Sequence, residues 1–174
     1  MVEEPSMSEL LDLFLPHILP DGVEKLIITH NGKNDLQSSI PKKLRGWQTP
    51  SDRFIIVHDQ DSKDCIQLKA DLVSLCENSR NDCLVRIVCG ELESWYLGDL
   101  AAISKAYNKD YTQLASKKKY RAPDKLKNAK QELRKIIPAY QPIDGARKIA
   151  AYLDVDNNLS HSFNAFVSGV KKMI

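Results

Sequence analysis

The residues of this chain best suited to chemistry are carboxylates that follow short apolar runs. Asp59 and Asp61, one residue apart, come directly after Phe54-Ile55-Ile56-Val57-His58 and are followed by Ser62, Lys63 and Asp64. Glu3 comes after Met1-Val2, and Glu91 and Glu93 come after Leu84-Val85-Arg86-Ile87-Val88. Carboxylate oxygens are hard ligands and suit Mg²⁺. Taken alone, Asp59-Gln60-Asp61 fits a second role equally well, a strand-to-helix turn in which Asp61, Ser62 or Asp64 caps the next helix. Acids behind three separate runs favour the metal. Carboxylates gathered at one place repel, and burying them unpaired is costly, whereas a divalent cation neutralises them.

The elements that would gather them can be read from patterning. Phe54 to Val57 has the unbroken β-rich apolar character of a strand buried on both faces. Leu26-Ile27-Ile28 and Leu84 to Val88 read as further strands, and Met1-Val2 as the stub of an earlier one. Between them lie helical patterns. The first opens on a Ser6–Glu9 capping box and runs through Leu10, Leu11, Phe14 and Leu15. Others cover Leu36 to Trp47, disturbed by Pro41, then Asp64 to Asn78, and a helix starting at Glu91 through Leu97. Alternation of this kind predicts an α/β fold with a mainly parallel central sheet and crossover connections. In such a sheet ligands collect beyond the carboxyl ends of the strands, so the acids would share one edge.

From Asp99 onward the pattern is helical only, over Leu100 to Tyr107, Ala129 to Ile137, Ala146 to Leu153 and Ser162 to Val170, bounded by Pro123, Pro138, Pro142 and Gly145. The expected organisation is an α/β core over residues 1–98 and a helical C-terminal extension over 99–174 packed on the same domain. The chain has 174 residues, 43% hydrophobic and 28% charged, values that fit one ordinary globular domain. The net charge of +2 does not single out a polyanionic partner, but local charge is uneven. Lys117, Lys118, Lys119, Arg121 and Lys125 form the densest positive stretch. It reads either as a solvated loop or as a phosphate-backbone contact with Tyr120 available for stacking. Lys42, Lys43 and Arg45 read as a solvated face. Cys65, Cys76, Cys83 and Cys89 lack zinc-ligand spacing and read as reduced core thiols. No run has membrane-spanning length and no secretion signal is visible, so a cytoplasmic location and no membrane partner are expected.

Other candidates have plainer readings beside the functional one. Glu91 and Glu93, two apart on a helix, face apart, so one of them would reach a metal; Glu91 is nearer the strand end, and both could instead complement the helix dipole. His58 reads as a satisfied structural histidine ahead of a catalytic base, and Trp95 and Tyr96 as packing residues. Phe163, Phe166, Val167 and Val170 form a stripe that reads as a core helix ahead of a docking face.

Val2-Glu3-Glu4-Pro5-Ser6 resembles the first Toprim motif, a Glu at a strand end before a turn and helix. Ile56-Val57-His58-Asp59-Gln60-Asp61 resembles the second, a strand ending in Asp-x-Asp. Toprim domains occur in topoisomerases, bacterial primases, recombination-repair proteins and the overcoming-lysogenisation-defect nucleases. Glu3 to Pro5, Gly32 to Leu36, Ile40 to Leu44, His58 to Cys65, Glu91 to Asp99, Gly145-Ala146-Arg147 and Ser162-Phe163 further resemble small stand-alone bacterial Toprim-like proteins. Those proteins are placed beside ABC-type ATPases in gene pairs that look like anti-phage defence modules. The resemblance implies a Toprim-like fold and Mg²⁺- or Mn²⁺-dependent phosphodiester hydrolysis of nucleic acid, with an ABC-type ATPase as partner. It implies that Asp59 and Asp61 hold the metal, with Glu91 or Glu93 contributing, and that Glu3 ligates it or serves as general base. The basic residues around Lys117 to Lys125 would meet phosphates. Two features depart from the pattern: Glu4 stands where a Gly is usual, and only Met1-Val2 precede Glu3. The expectation is therefore a truncated or misassigned first strand and a poorly held Glu3. Two other functions stand beside the nuclease. One is a non-catalytic or latent module that docks on an ABC-type ATPase. The other is a phosphotransferase with Asp59 as nucleophile, disfavoured by the lack of a Thr or Ser motif after a following strand.

Overall fold

A computed structural model describes residues 1–174. Its sheet centres on two strands, Phe54–Asp59 (β1) and Cys83–Val88 (β2). They pair in parallel, with Phe54 opposite Cys83 through to Asp59 opposite Val88. A parallel pair needs a crossover, and the helix Cys65–Ser74 (α3) supplies it. The cap of α3 is Asp64, whose Oδ1 accepts the Gln67 N–H at 2.8 Å. Asp61 is therefore not the capping residue of this turn.

The fold is α/β and rich in helix, with a smaller sheet than the sequence pattern predicts. The expected strand at Leu26 to Ile28 does not form. In its place Val2 makes isolated parallel bridges to Thr29 on one side and Val57 on the other. The Val2 N–H donates to Ile28 O and the His30 N–H to Val2 O, each at 3.0 Å, and the Val57 N–H donates to Met1 O at 3.1 Å. These bridges do not extend along the Leu26 segment, and Leu26 remains 71% exposed. An apolar groove of about 440 Å³ lies between residues 23–28 and 51–55. Short as it is, the Val2 bridge holds its neighbour. Glu3 is buried and its carbonyl accepts the Gly32 N–H at 2.8 Å, so the expectation of a poorly held Glu3 is not met.

Both faces of β1 and β2 are covered, as apolar runs interrupted only by Arg86 require. On one side Ile56, Val85 and Ile87 pack with Leu36, Ile40 and Leu44 of the helix Lys33–Gly46 (α2) and with Leu68 and Leu72 of α3. On the other, Val2, Val57 and Val88 join a larger core. That core is built with the helices Pro5–Phe14 (α1), Glu93–Leu97 (α4), Leu100–Tyr107 (α5), Ala129–Ile136 (α6), Pro142–Ala150 (α7) and His161–Met173 (α8). The C-terminal helices thus share their core with the sheet.

Several local expectations change on inspection. α1 begins at Pro5, one residue ahead of the expected capping box, because Pro suits the first helical position. Glu9 consequently points away and makes a bidentate pair with Arg147, both contacts at 2.8 Å. Pro41 lies inside α2 without ending it. Leu36, Ile40 and Leu44, spaced four apart on one buried stripe, outweigh the lost hydrogen bond. α7 starts at Pro142, four residues before the expected Ala146. Phe163, Phe166, Val167 and Val170 are all buried in the larger core, so this stripe is not a docking face. Trp95 and Tyr96 are fully buried packing residues as expected. No helix is long and apolar enough to cross a membrane.

Candidate acidic site at the carboxyl ends of the strands

The turn after β1 is bolted to the end of β2 by main-chain bonds. The Gln60 N–H donates to Val88 O at 2.8 Å and the Asp61 N–H to Gly90 O at 3.1 Å. The Gln60 side chain completes the clamp, its Oε1 accepting the Gly90 N–H at 3.1 Å and its Nε2 donating to Lys63 O at 2.9 Å. Asp61 pays the local conformational cost with φ of 53°, and Gly90 has φ of 74°. Asp tolerates the left-handed region better than most residues, and Gly enters it freely. A Cβ at Gly90 would also meet Leu126 O at 3.2 Å.

This scaffold fixes Asp59 as the last residue of β1, 6% exposed. Burial, and then the charge of Glu3, push its carboxyl well above the usual range; Glu4, Glu93 and Asp61 act in the same direction. Glu3 is pushed up to about 7, first by burial and then by Asp61 and Glu4, with Lys33 working against. Asp59 Oδ1 and Glu3 Oε2 are buried and have no hydrogen-bond partner.

His58 Nδ1 stands 3.1 Å from Glu3 Oε2, but it is also 2.6 Å from Asp59 O. At the other end of the ring, the Gln37 amide nitrogen lies 3.1 Å from Nε2. An amide donor to Nε2 leaves the ring proton on Nδ1, and the shorter contact takes it. The ring proton then does not go to Glu3 Oε2, and the Asp59 main-chain N–H gives the Glu3 carboxyl only the weakest of the influences on its pKa. Burial holds the His58 pKa below its ordinary value. His58 is therefore a neutral, satisfied structural residue.

The remaining acids divide. Glu93 is buried in the first turn of α4; burial raises its pKa, while Lys130 and Tyr140 oppose the rise. Its Oε1 accepts the Tyr140 hydroxyl at 2.8 Å and lies 3.9 Å from Lys130 Nζ. Glu91 turns away and caps α6, its Oε2 accepting the Lys130 N–H at 2.9 Å. The order expected from sequence is thus reversed, with Glu93 rather than Glu91 in the field of Asp59. Asp61 is solvent-accessible and pairs with Lys33 Nζ at 3.2 Å.

No group of three or more His, Cys, Asp and Glu side chains is assembled as a ready-made metal cage. Mg²⁺ does not need one, because it keeps several waters and is commonly held by one or two carboxylates together with substrate phosphates. The buried, unpartnered oxygens of Asp59 and Glu3 fit a hard divalent cation on those terms. Glu93 and Asp61 add negative charge nearby.

The C-terminal end of the basic stretch approaches this edge. Lys118–Arg121 and Pro123–Lys125 form 3₁₀ turns, and Leu126 O approaches Gly90. Lys117, Lys118, Lys119, Arg121 and Lys125 are exposed. Lys119 pairs with Glu132, and Arg121 Nη2 donates to Ser116 O at 2.9 Å. Tyr120 is buried, with 2% exposure, so it is no stacking platform; the 3₁₀ turn points its ring into the larger core.

Sequence reasoning missed Lys130 and Tyr140. Neither lies in a motif, and both reach Glu93 through tertiary packing. Lys130 is the cation set deepest among these acids. Burial disfavours its charge, but Glu93, Glu4, Glu91 and Asp59 together raise its pKa.

Over residues 2–171 the chain matches the family model described as a domain of unknown function, DUF4276. It belongs to this family. No curated protein and no solved structure matches the chain. The match extends across both the sheet edge and the C-terminal helices, including every carboxylate named above and Lys130 and Tyr140.

Proposed function

We propose that this DUF4276 chain is a Mg²⁺- or Mn²⁺-dependent nuclease of Toprim type that hydrolyses phosphodiester bonds in nucleic acid. The observation that carries the reading is the pair of buried, unpartnered carboxylate oxygens on Asp59 and Glu3 at the carboxyl ends of parallel pairings. A fold gains nothing from two such groups by themselves, since each costs desolvation without a compensating bond. The Glu-then-Asp-x-Asp order resembles Toprim motifs and supports that finer assignment of the fold.

Asp59 and Glu3 would hold the cation, with Asp61 at the solvent side. When bound, the cation lowers the pKa of water and stabilises charge on the leaving oxygen. If Asp59 and Asp61 held the cation without it, Glu3, whose pKa without metal is about 7, would instead serve as the general base near neutrality. Lys33, beside Asp61, and the exposed Lys117, Lys118, Lys119, Arg121 and Lys125 would contact phosphates. His58 keeps its ring buried and orients the Asp59 main chain.

A second reading is a latent module completed by an ABC-type ATPase, in the setting of anti-phage defence. The absence of a preassembled three-residue cage favours it. A phosphotransferase is the weaker reading, because Asp59, at 6% exposure, offers little surface for attack on a phosphorus.

The deciding experiment assays the purified chain on plasmid, single-stranded DNA and RNA with Mg²⁺ or Mn²⁺. Cleavage lost in Asp59→Ala is expected. Cleavage that survives Asp59→Ala with Asp61→Ala overturns the assignment. Cleavage that requires an added ATPase selects the latent module, and a trapped aspartyl-phosphate selects the phosphotransferase.

A further inference from the structure

Glu93 sits in the first turn of a five-residue helix, too short to restrain a long side chain by itself. Something else must hold its carboxylate where Asp59 feels it. Tyr140 does so most directly, donating its hydroxyl to Glu93 Oε1 at 2.8 Å. Both side chains are nearly inaccessible, at 1% and 2% exposure. Hydrogen bonds to an ionised acceptor are stronger than neutral ones, and burial strengthens them further. Tyr96, whose buried hydroxyl also lies in the field of Glu93, makes no such bond.

The Tyr140 ring reaches this position across the backbone of Gly145 in α7. A Cβ on Gly145 would stand 2.1 Å from Tyr140 Cε2, 2.7 Å from Cδ2 and 3.1 Å from Cζ. Real atoms do not approach so closely, so any side chain at Gly145 displaces the ring. Gly145 is otherwise unremarkable, an interior helix position where Gly costs stability relative to Ala. Its presence is explained by the space the tyrosine needs.

We infer that Tyr140 is a positioning residue for the carboxylate centre, holding Glu93 toward Asp59, and that Gly145 provides the space in which it does so. The inference rests on the reading of Asp59 and Glu3 as a divalent-cation centre, with Glu93 adding negative charge beside it. Partners that orient the groups around a metal typically change its affinity by about 10- to 100-fold when removed. A tyrosine that merely fills the core has no such effect.

The test is Mn²⁺ binding, followed by loss of the free-ion electron paramagnetic resonance signal at one fixed pH, with thermal melting measured alongside. The wild-type chain is expected to bind and Asp59→Asn to lose binding. Tyr140→Phe, which keeps the ring, should weaken binding by about 10-fold or more, as should Gly145→Ala. In a Glu93→Gln background Tyr140→Phe should add no further loss, since the residue it positions has already been changed. Unchanged affinity in Tyr140→Phe overturns the inference while leaving the centre standing, and so does an equal, additive loss in the Glu93→Gln background. A wild-type chain that binds no better than Asp59→Asn overturns the centre itself.

Discussion

The Asp61 N–H donates to the Gly90 carbonyl at 3.1 Å, and both residues hold positive φ, 53° and 74°. One bond thus joins the turn that carries the Asp-x-Asp pair to the turn that leads into Glu91 and Glu93. The acids after β1 and those after β2 keep a fixed relation because two left-handed residues meet there.

Gly90→Ala tests that junction. The new Cβ would meet Leu126 O at 3.2 Å and Ser94 Oγ at 3.3 Å in a backbone conformation that disfavours side chains. A loss of about 1–3 kcal/mol is expected, measured by denaturant unfolding. An unchanged midpoint would mean the turn adapts freely and does not register the acids.

The carboxyl of Glu3 gives a pH signature. Its pKa rises from 4.5 to about 7 on folding, so the folded state retains a proton that the unfolded chain releases earlier. The resulting stabilisation is complete below about pH 4.5, fades through about pH 7 and is absent above, for at most about 3 kcal/mol. Burial of neutral His58 contributes the opposite slope and is common to wild type and Glu3→Gln. Metal-free wild type should therefore lose stability relative to Glu3→Gln as pH rises from 5 to 8. Parallel melting curves across that range would contradict the buried acid.

Asp59→Asn should separate stability from function. The substitution removes a buried carboxyl whose Oδ1 has no partner and whose ionised form burial disfavours, and it keeps the side-chain shape. Metal-free protein at pH 8 is expected to gain about 1–3 kcal/mol, with Mn²⁺ binding and cleavage lost. A destabilised variant would show that Asp59 is a structural residue.

Lys130→Met removes the cation 3.9 Å from Glu93. The methionine keeps most of the stem while leaving a buried carboxylate with Tyr140 alone. Destabilisation of about 1–3 kcal/mol is expected, seen as a melting temperature lower by about 2–10 °C for a chain of this size. No change would indicate that Glu93 is protonated in the fold.

Replacing Lys117, Lys118 and Lys119 together with Ala should weaken nucleic-acid binding and flatten its dependence on salt. Fluorescence anisotropy at several ionic strengths measures both. Binding with the same salt slope as wild type would return the stretch to a solvated surface.

Patterning alone was enough to place the centre of the sheet. Phe54 to Val57 is an unbroken apolar run and Leu84 to Val88 is broken only by Arg86, and burial on both faces requires such runs, so the strand character of β1 and β2 was visible along the chain. The position of Asp59 at the strand end followed from the same run. Helix ends were less legible where proline overrode other cues, as at Pro5 and Pro142.

Tertiary structure decided which acids meet. Glu91 and Glu93 have equal claims in sequence, and only the approach of α6 turns Glu91 into a cap while Tyr140 and Lys130 hold Glu93 inward. Tyr120 sits in the most basic stretch, yet its 3₁₀ turn buries it. Met1-Val2 looked too short to hold Glu3, but Val2 bridges β1 at Val57 on one side and Thr29 on the other, both far away along the chain. Strand and helix character depends on neighbours along the chain and can be read there. Convergence of charges depends on contacts between distant segments, for which local patterning carries no signal.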